Sequence, residues 1–148
     1  MGKISQIVTG QRIYLDANVF IYALEAYPEF VQIITELFDQ IDKGKLYAVT
    51  SQLTLAETLV KPFRDKNLFL QQAYQNLLQD TDFLKVVEMN PNILMEAARL
   101  RAFYSQIRLP DAIHLATAYT HHCDVLVTND KRLKNLDTNI ISIFLLSE

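Results

Sequence analysis

The chain has 148 residues, half of them hydrophobic and 21% charged, with a net charge of −3. That size and balance describe one globular domain over residues 1–148 with a real core, and they exclude a membrane-spanning protein, because polar residues interrupt every apolar stretch. The slight acidity argues against a protein devoted to non-specific duplex binding through a basic face, and it leaves open an enzyme that acts through metal ions, whose site is itself acidic.

The opening MGKISQIVTG has no long hydrophobic region and no small-residue cleavage site, so it reads as neither a secretory signal nor an anchor. Residues 1–11 form a lead-in without an assigned role. Cys123 is the single cysteine, which leaves no intrachain disulfide to form and makes the cytoplasm the expected compartment.

RIYLDA reads as a short buried strand and NVFIYALEA as a helix. PEFVQIITELFDQIDKG is a clearer amphipathic helix: Phe30, Ile33, Ile34, Leu37, Phe38 and Ile41 recur at helical spacing and Gly44 marks the stop. LYAVTS is a second strand, and SQLTLAETLV starts a helix with Ser51 as its N-cap. A break is expected around Pro62, after which NLFLQQAYQNLLQD is helical again. FLKVVEM is a third strand. NPNILMEAARLRAFYSQ is a helix opened by Asn90 and Pro91, and RLPDAIHLATAY is a buried helix with Pro110 in its first turn. DVLVTND, DKRLKNL and NIISIFLL follow as strand, short helix and strand. Strands alternating with helices long enough to cross over predict an α/β fold, a three-layer α/β/α sandwich around a mostly parallel five-stranded sheet.

In such a sheet, ligands bind beyond the carboxyl ends of the strands. Asp16 closes the first strand and Asp130 follows the fourth, so two acids far apart in sequence are expected at the same edge. Glu57 lies among Leu53, Leu55, Ala56, Leu59 and Val60, and Asp111 stands in the first turn of an otherwise apolar helix. Each has an ordinary explanation alone: a strand-end turn, a helix face, or Asp favoured by the positive end of a helix dipole. Together they predict a carboxylate cluster, which repels itself unless it binds protons or a cation. Mg²⁺ or Mn²⁺, bound through carboxylates and water, suits hydrolysis at phosphorus without a nucleophilic Ser or Cys. Asn18, Ser51, Thr128 and Asn129 are candidate supports for these acids, though each also serves as an ordinary cap or turn residue.

Other features read as structural. His114, one turn after Asp111, is taken as a packed histidine, and HHCD at 121–124 as a helix end. The basic clusters Lys61, Arg64, Lys66 and Lys131, Arg132, Lys134 read as solvated surface before RNA contacts. Phe20, Tyr22, Phe30 and Phe38 belong to the core or a subunit interface. A haloacid-dehalogenase-type phosphatase would need Asp where Asn18 stands, and three scattered glycines cannot build a phosphate loop.

YLDANVFIYAL, SQLTLAETL, LPDAIHLATAY and VLVTNDKRL stand in the order and spacing of the PIN-domain ribonucleases, and the chain resembles the VapC-type toxins among them from Ile13 to about Phe144. The resemblance implies a Mg²⁺- or Mn²⁺-dependent endoribonuclease with Asp16, Glu57, Asp111 and Asp130 as its acidic quartet. It implies that the metal is held mainly by Asp16 and Asp111, with Glu57 and Asp130 bound directly or through water. Water as nucleophile implies 5′-phosphate and 3′-hydroxyl products. A cognate antitoxin and a homodimer are the implied partners. Alternative readings are a PIN-like RNA- or protein-binding module with little catalysis and a housekeeping RNA-processing nuclease.

Overall fold

The computed structural model describes residues 3–136 and 139–148. At its centre lies β1 (Arg12–Leu15), flanked by β2 (Tyr47–Ser51) on one side and β4 (Val125–Thr128) on the other. β3 (Leu84–Val87) pairs outside β2 and β5 (Ser142–Leu145) outside β4, so the order is β3-β2-β1-β4-β5 and every pairing is parallel. The expected sheet is therefore present, and it is wholly parallel.

Alternation along the strands splits the core in two. Ile13 and Leu15 of β1, with Val125 and Val127 of β4, face one side. There they meet α1 (Ala17–Leu24), α2 (Val31–Asp42) and α4 (Leu68–Leu77), through Val19, Phe20, Leu37 and Tyr74. Tyr14 and Leu126 face the other side, against α5 (Pro91–Phe103) and α6 (Leu109–Thr120), through Ile93, Ala97, Leu100, Leu115 and Ala116. Each large aliphatic side chain buried this way contributes roughly 1.5–3 kcal/mol relative to exposure. Phe20 and Phe30 are core residues, and Tyr22 stacks on Phe30 with ring centroids 4.2 Å apart.

The lead-in acquires a packing role. A 3-10 turn at Ile4–Gln6 places Ile4 and Ile7 in the same core as α2, while Met1 and Gly2 lie outside the described residues. α3 (Gln52–Arg64) runs through Pro62 instead of breaking before it. Its last turn is held because the Pro62 carbonyl accepts from Asn67 N at 2.9 Å and from Gln71 Nε2 at 3.2 Å. α7 (Lys131–Lys134) is a single turn capped by Asp130. Among the described residues no helix is long and apolar enough to cross a membrane.

Candidate active site

The carboxyl ends of β1 and β4 lie side by side, and each leads into a helix opened by an acid. Asp16 is the N-cap of α1: its Oδ1 accepts from Ala17 N at 2.7 Å. Its Oδ2 accepts from the Thr128 hydroxyl at 2.6 Å. Thr128 Oγ1 in turn accepts the backbone N–H of Asp130 at 3.1 Å, so one hydroxyl on the last residue of β4 registers both strand-end acids.

Asp16 and Glu57 meet through His114. His114 donates from Nε2 to Glu57 Oε1 at 2.5 Å, and the same nitrogen lies 3.5 Å from Asp16 Oδ1. The ring is packed, as a histidine in this apolar helix should be, with only 2% of its surface exposed. Its other nitrogen, Nδ1, lies 2.6 Å from the Tyr14 hydroxyl. Tyr14 donates to Ser51 Oγ at 3.1 Å, so it is left to accept from His114. Burial alone would push the His114 pKa down. The hydrogen bond to Glu57 and the charges of Asp16, Glu57 and Asp111 outweigh it and raise the pKa above its ordinary value.

Asp111 and Asp130 meet through a different cation. Arg132 donates from Nε to Asp130 Oδ1 at 2.9 Å, and its Nη2 bonds Asp130 Oδ2 and reaches Asp111 Oδ2 at 3.3 Å. The hydrogen bond from Arg132 holds the Asp130 carboxyl below the usual carboxylate range against its partial burial. Asp111 sits in the first turn of α6, where its Oδ2 also accepts Arg108 N at 3.0 Å. The four predicted acids thus form two pairs, Asp16 with Glu57 and Asp111 with Asp130, each bridged by one basic side chain of the protein itself.

The predicted supporting residues divide. Thr128 bonds an acid directly. Ser51 precedes α3 but makes no side-chain cap; its hydroxyl is taken by Tyr14, which corrects the expected cap. Asn129 donates to the Tyr22 hydroxyl at 3.0 Å and accepts Ser147 N at 3.2 Å, so it ties the β4–α7 turn to its surroundings instead of touching an acid. Asn18 Oδ1 is buried and has no hydrogen-bond partner among the described residues.

His114, expected only to pack, also bonds Glu57, and Arg132, expected at the surface, bonds Asp130 and Asp111. The available signal was position: His114 stands one helical turn from Asp111, and Arg132 two residues from Asp130. The other basic residues behave as surface: Lys61 pairs with Glu25 at 3.6 Å, Arg64 with Asp65 at 3.9 Å and Lys134 with Glu148 at 2.8 Å. The HHCD segment is structural as read, with Arg12 donating to the His121 carbonyl and Asp124 accepting Arg12 N.

The donor set fits a divalent cation. Oxygens of Asp16 and Glu57 and a nitrogen of His114 lie within 4.8 Å of one another, and carboxylates are the donors hard cations prefer.

Known proteins agree with this architecture. Over 90% of the chain and 98% of the other, the fold is similar to VapBC2 from Rickettsia felis bound to a DNA fragment from their promoter, at 18% identity and a TM-score of 0.68. A toxin–antitoxin complex from Klebsiella pneumoniae is similar over 92% and 98%, at 20% identity and a TM-score of 0.67. FitAcB from Neisseria gonorrhoeae is similar over 90% and 97%, at 19% identity and a TM-score of 0.65. At these identities the likeness is one of fold. No curated protein matches the sequence. The PIN domain family model matches residues 13–142, nearly the whole chain, and the chain belongs to the PIN domain family.

Proposed function

We propose that this protein is a divalent-metal-dependent endoribonuclease acting in the cytoplasm as the toxin of a toxin–antitoxin pair. The observation that supports the reading is two acid pairs in a PIN domain, Asp16 with Glu57 and Asp111 with Asp130, linked at the strand ends by the Thr128 hydroxyl. These four residues would hold the metal, with Mg²⁺ or Mn²⁺ as the fitting ions for oxygen donors. A bound divalent ion supplies Lewis acidity at the phosphodiester and makes water a competent nucleophile near neutral pH.

The protein's own groups prepare that site. Thr128 holds the Asp16 carboxylate through its hydroxyl, and the backbone N–H of Arg108 holds the Asp111 carboxylate at the first turn of α6. Arg132 carries a fork of donors matched to phosphate oxygens, so an RNA phosphate that draws it away from Asp111 and Asp130 would leave both acids to the metal. The partner reading rests on the fold, which is shared with a chain of the toxin–antitoxin complex from Klebsiella pneumoniae. Exposed apolar side chains on α3 and α4, namely Val60, Phe63, Leu68 and Phe69, offer surface for an antitoxin or for a second copy in a homodimer.

The test is cleavage of a mixed single-stranded RNA pool by the full chain with Mg²⁺ or Mn²⁺, beside the variants D16N and D111N. Metal-dependent cleavage lost in both variants, giving 5′-phosphate ends and persisting when the 2′-hydroxyl at the cleaved position is removed, supports hydrolysis by water. Wild type that cuts no more than the folded variants overturns it and favours a binding module.

A further inference from the structure

We propose that His114 is a positioning residue for Glu57, held in place by the Tyr14–Ser51 hydrogen bond, and that it sets the cation affinity of the cluster without being a metal ligand itself. The inference rests on the reading of this cluster as a divalent-cation site. Glu57 is half-buried on α3, and among the described residues His114 is its only hydrogen-bond or ion-pair partner. A glutamate has three side-chain torsions, and without that bond its carboxylate is free to leave Asp16 for solvent. Mutual repulsion of the two carboxylates favours the departure.

His114 itself has no such freedom. Its ring is buried on α6, tilted against Tyr14 with centroids 5.5 Å apart, and its Nδ1 is engaged by the Tyr14 hydroxyl. Tyr14 is fully buried on β1, and Ser51 closes the chain from the end of β2. Three elements thus converge on one imidazole, and its free face delivers a single N–H to Glu57. The engaged Nε2 points at a carboxylate oxygen at hydrogen-bonding distance, which is the geometry of a group holding a ligand in place.

The probe is Mn²⁺ alone, titrated calorimetrically into the full chain. H114L should weaken Mn²⁺ binding roughly ten- to hundred-fold. H114Q, whose amide still supplies an N–H toward Glu57, should recover most of that loss. In an E57A background, H114L should cost nothing further, because the group it positions is gone. Circular dichroism checks the fold of each variant. Should H114L not fold, Y14F carries the same test: it removes only the hydroxyl behind the ring, and it should weaken Mn²⁺ binding in wild type and not in E57A.

The positioning role is overturned if H114L or Y14F binds within about two-fold of wild type, or if the loss persists undiminished in E57A. It is also overturned if H114L loses Mn²⁺ while keeping Mg²⁺, since that selectivity belongs to an imidazole ligand. Wild type that binds no Mn²⁺ overturns it together with the metal-site reading. Wild type that shows the His114 dependence yet cleaves no RNA overturns the nuclease reading and leaves the positioning role standing.

Discussion

The Thr128 hydroxyl donates to Asp16 Oδ2 at 2.6 Å across the two central strands, 112 residues apart in the chain. The same oxygen accepts the backbone N–H of Asp130. One small side chain at the end of β4 therefore sets the orientation of one acid and the turn that carries another.

Thr128→Val keeps the shape of this side chain and removes both bonds. It should lower stability by about 1–3 kcal/mol, the usual range for a lost bond to a charged group and an unpaired backbone N–H. RNA cleavage should fall roughly ten-fold or more, because Asp16 loses one of its two anchors. Urea midpoints and initial cleavage rates check this, and an unchanged rate in a destabilised variant would reduce Thr128 to a purely structural residue.

Arg132 competes with any cation for Asp111 and Asp130. Partly exposed pairs of this kind contribute roughly 0.2–1 kcal/mol each, so Arg132→Ala should tighten Mn²⁺ binding by up to about ten-fold. Cleavage efficiency on RNA should nevertheless fall, since the variant lacks a donor for phosphate. Calorimetry and kcat/KM read the two effects separately; metal affinity that is unchanged or weaker would show that the guanidinium does not compete.

The raised pKa of His114 links folding to pH in the metal-free protein. Its folded pKa stands above the ordinary 6.5, so the folded chain binds this proton more tightly than the unfolded chain does. The contribution is complete below 6.5 and is lost as pH rises through the folded pKa. In EDTA, wild type should therefore lose stability as pH rises above the ordinary imidazole value of 6.5, and H114Q should lose less. Equal slopes in the two proteins would contradict the raised pKa of His114.

Cys123 is buried, and burial pushes its thiol pKa up to about 12. At about pH 8 the thiolate, which is the reactive form, is nearly absent. A disulfide-exchange reagent should leave the folded protein unlabelled for hours and titrate one thiol per chain after denaturation. Rapid labelling of native protein would place Cys123 in a segment that opens readily.

Local chemistry made most elements legible. The buried runs IYL and VLV are central strands, Asn90 and Pro91 open α5 with the Asn90 side chain accepting Ile93 N, and Gly44 ends its helix turn at a φ of +72°. Pro62 misled because helix propensity counts the missing N–H, whereas tertiary packing and the bonds to its carbonyl carried α3 on to Arg64. Ser51 misled for a related reason: a cap is a local choice, and a buried tyrosine hydroxyl from the neighbouring strand offered a stronger claim on its oxygen.

The sequence by itself determined that four acids stand at strand ends or inside apolar helices, and that alternating strands and crossover helices carry them to one edge of a parallel sheet. Hydrophobic periodicity and strand-end position are local properties, so they survive in one dimension. Only the tertiary structure decided the pairing: Glu57 with Asp16 through His114, Asp111 with Asp130 through Arg132. Glu57 and His114 are 57 residues apart, and their meeting depends on how α3 and α6 are placed beyond the strand ends. Packing angles of that kind arise from the whole core, and no window of sequence contains them.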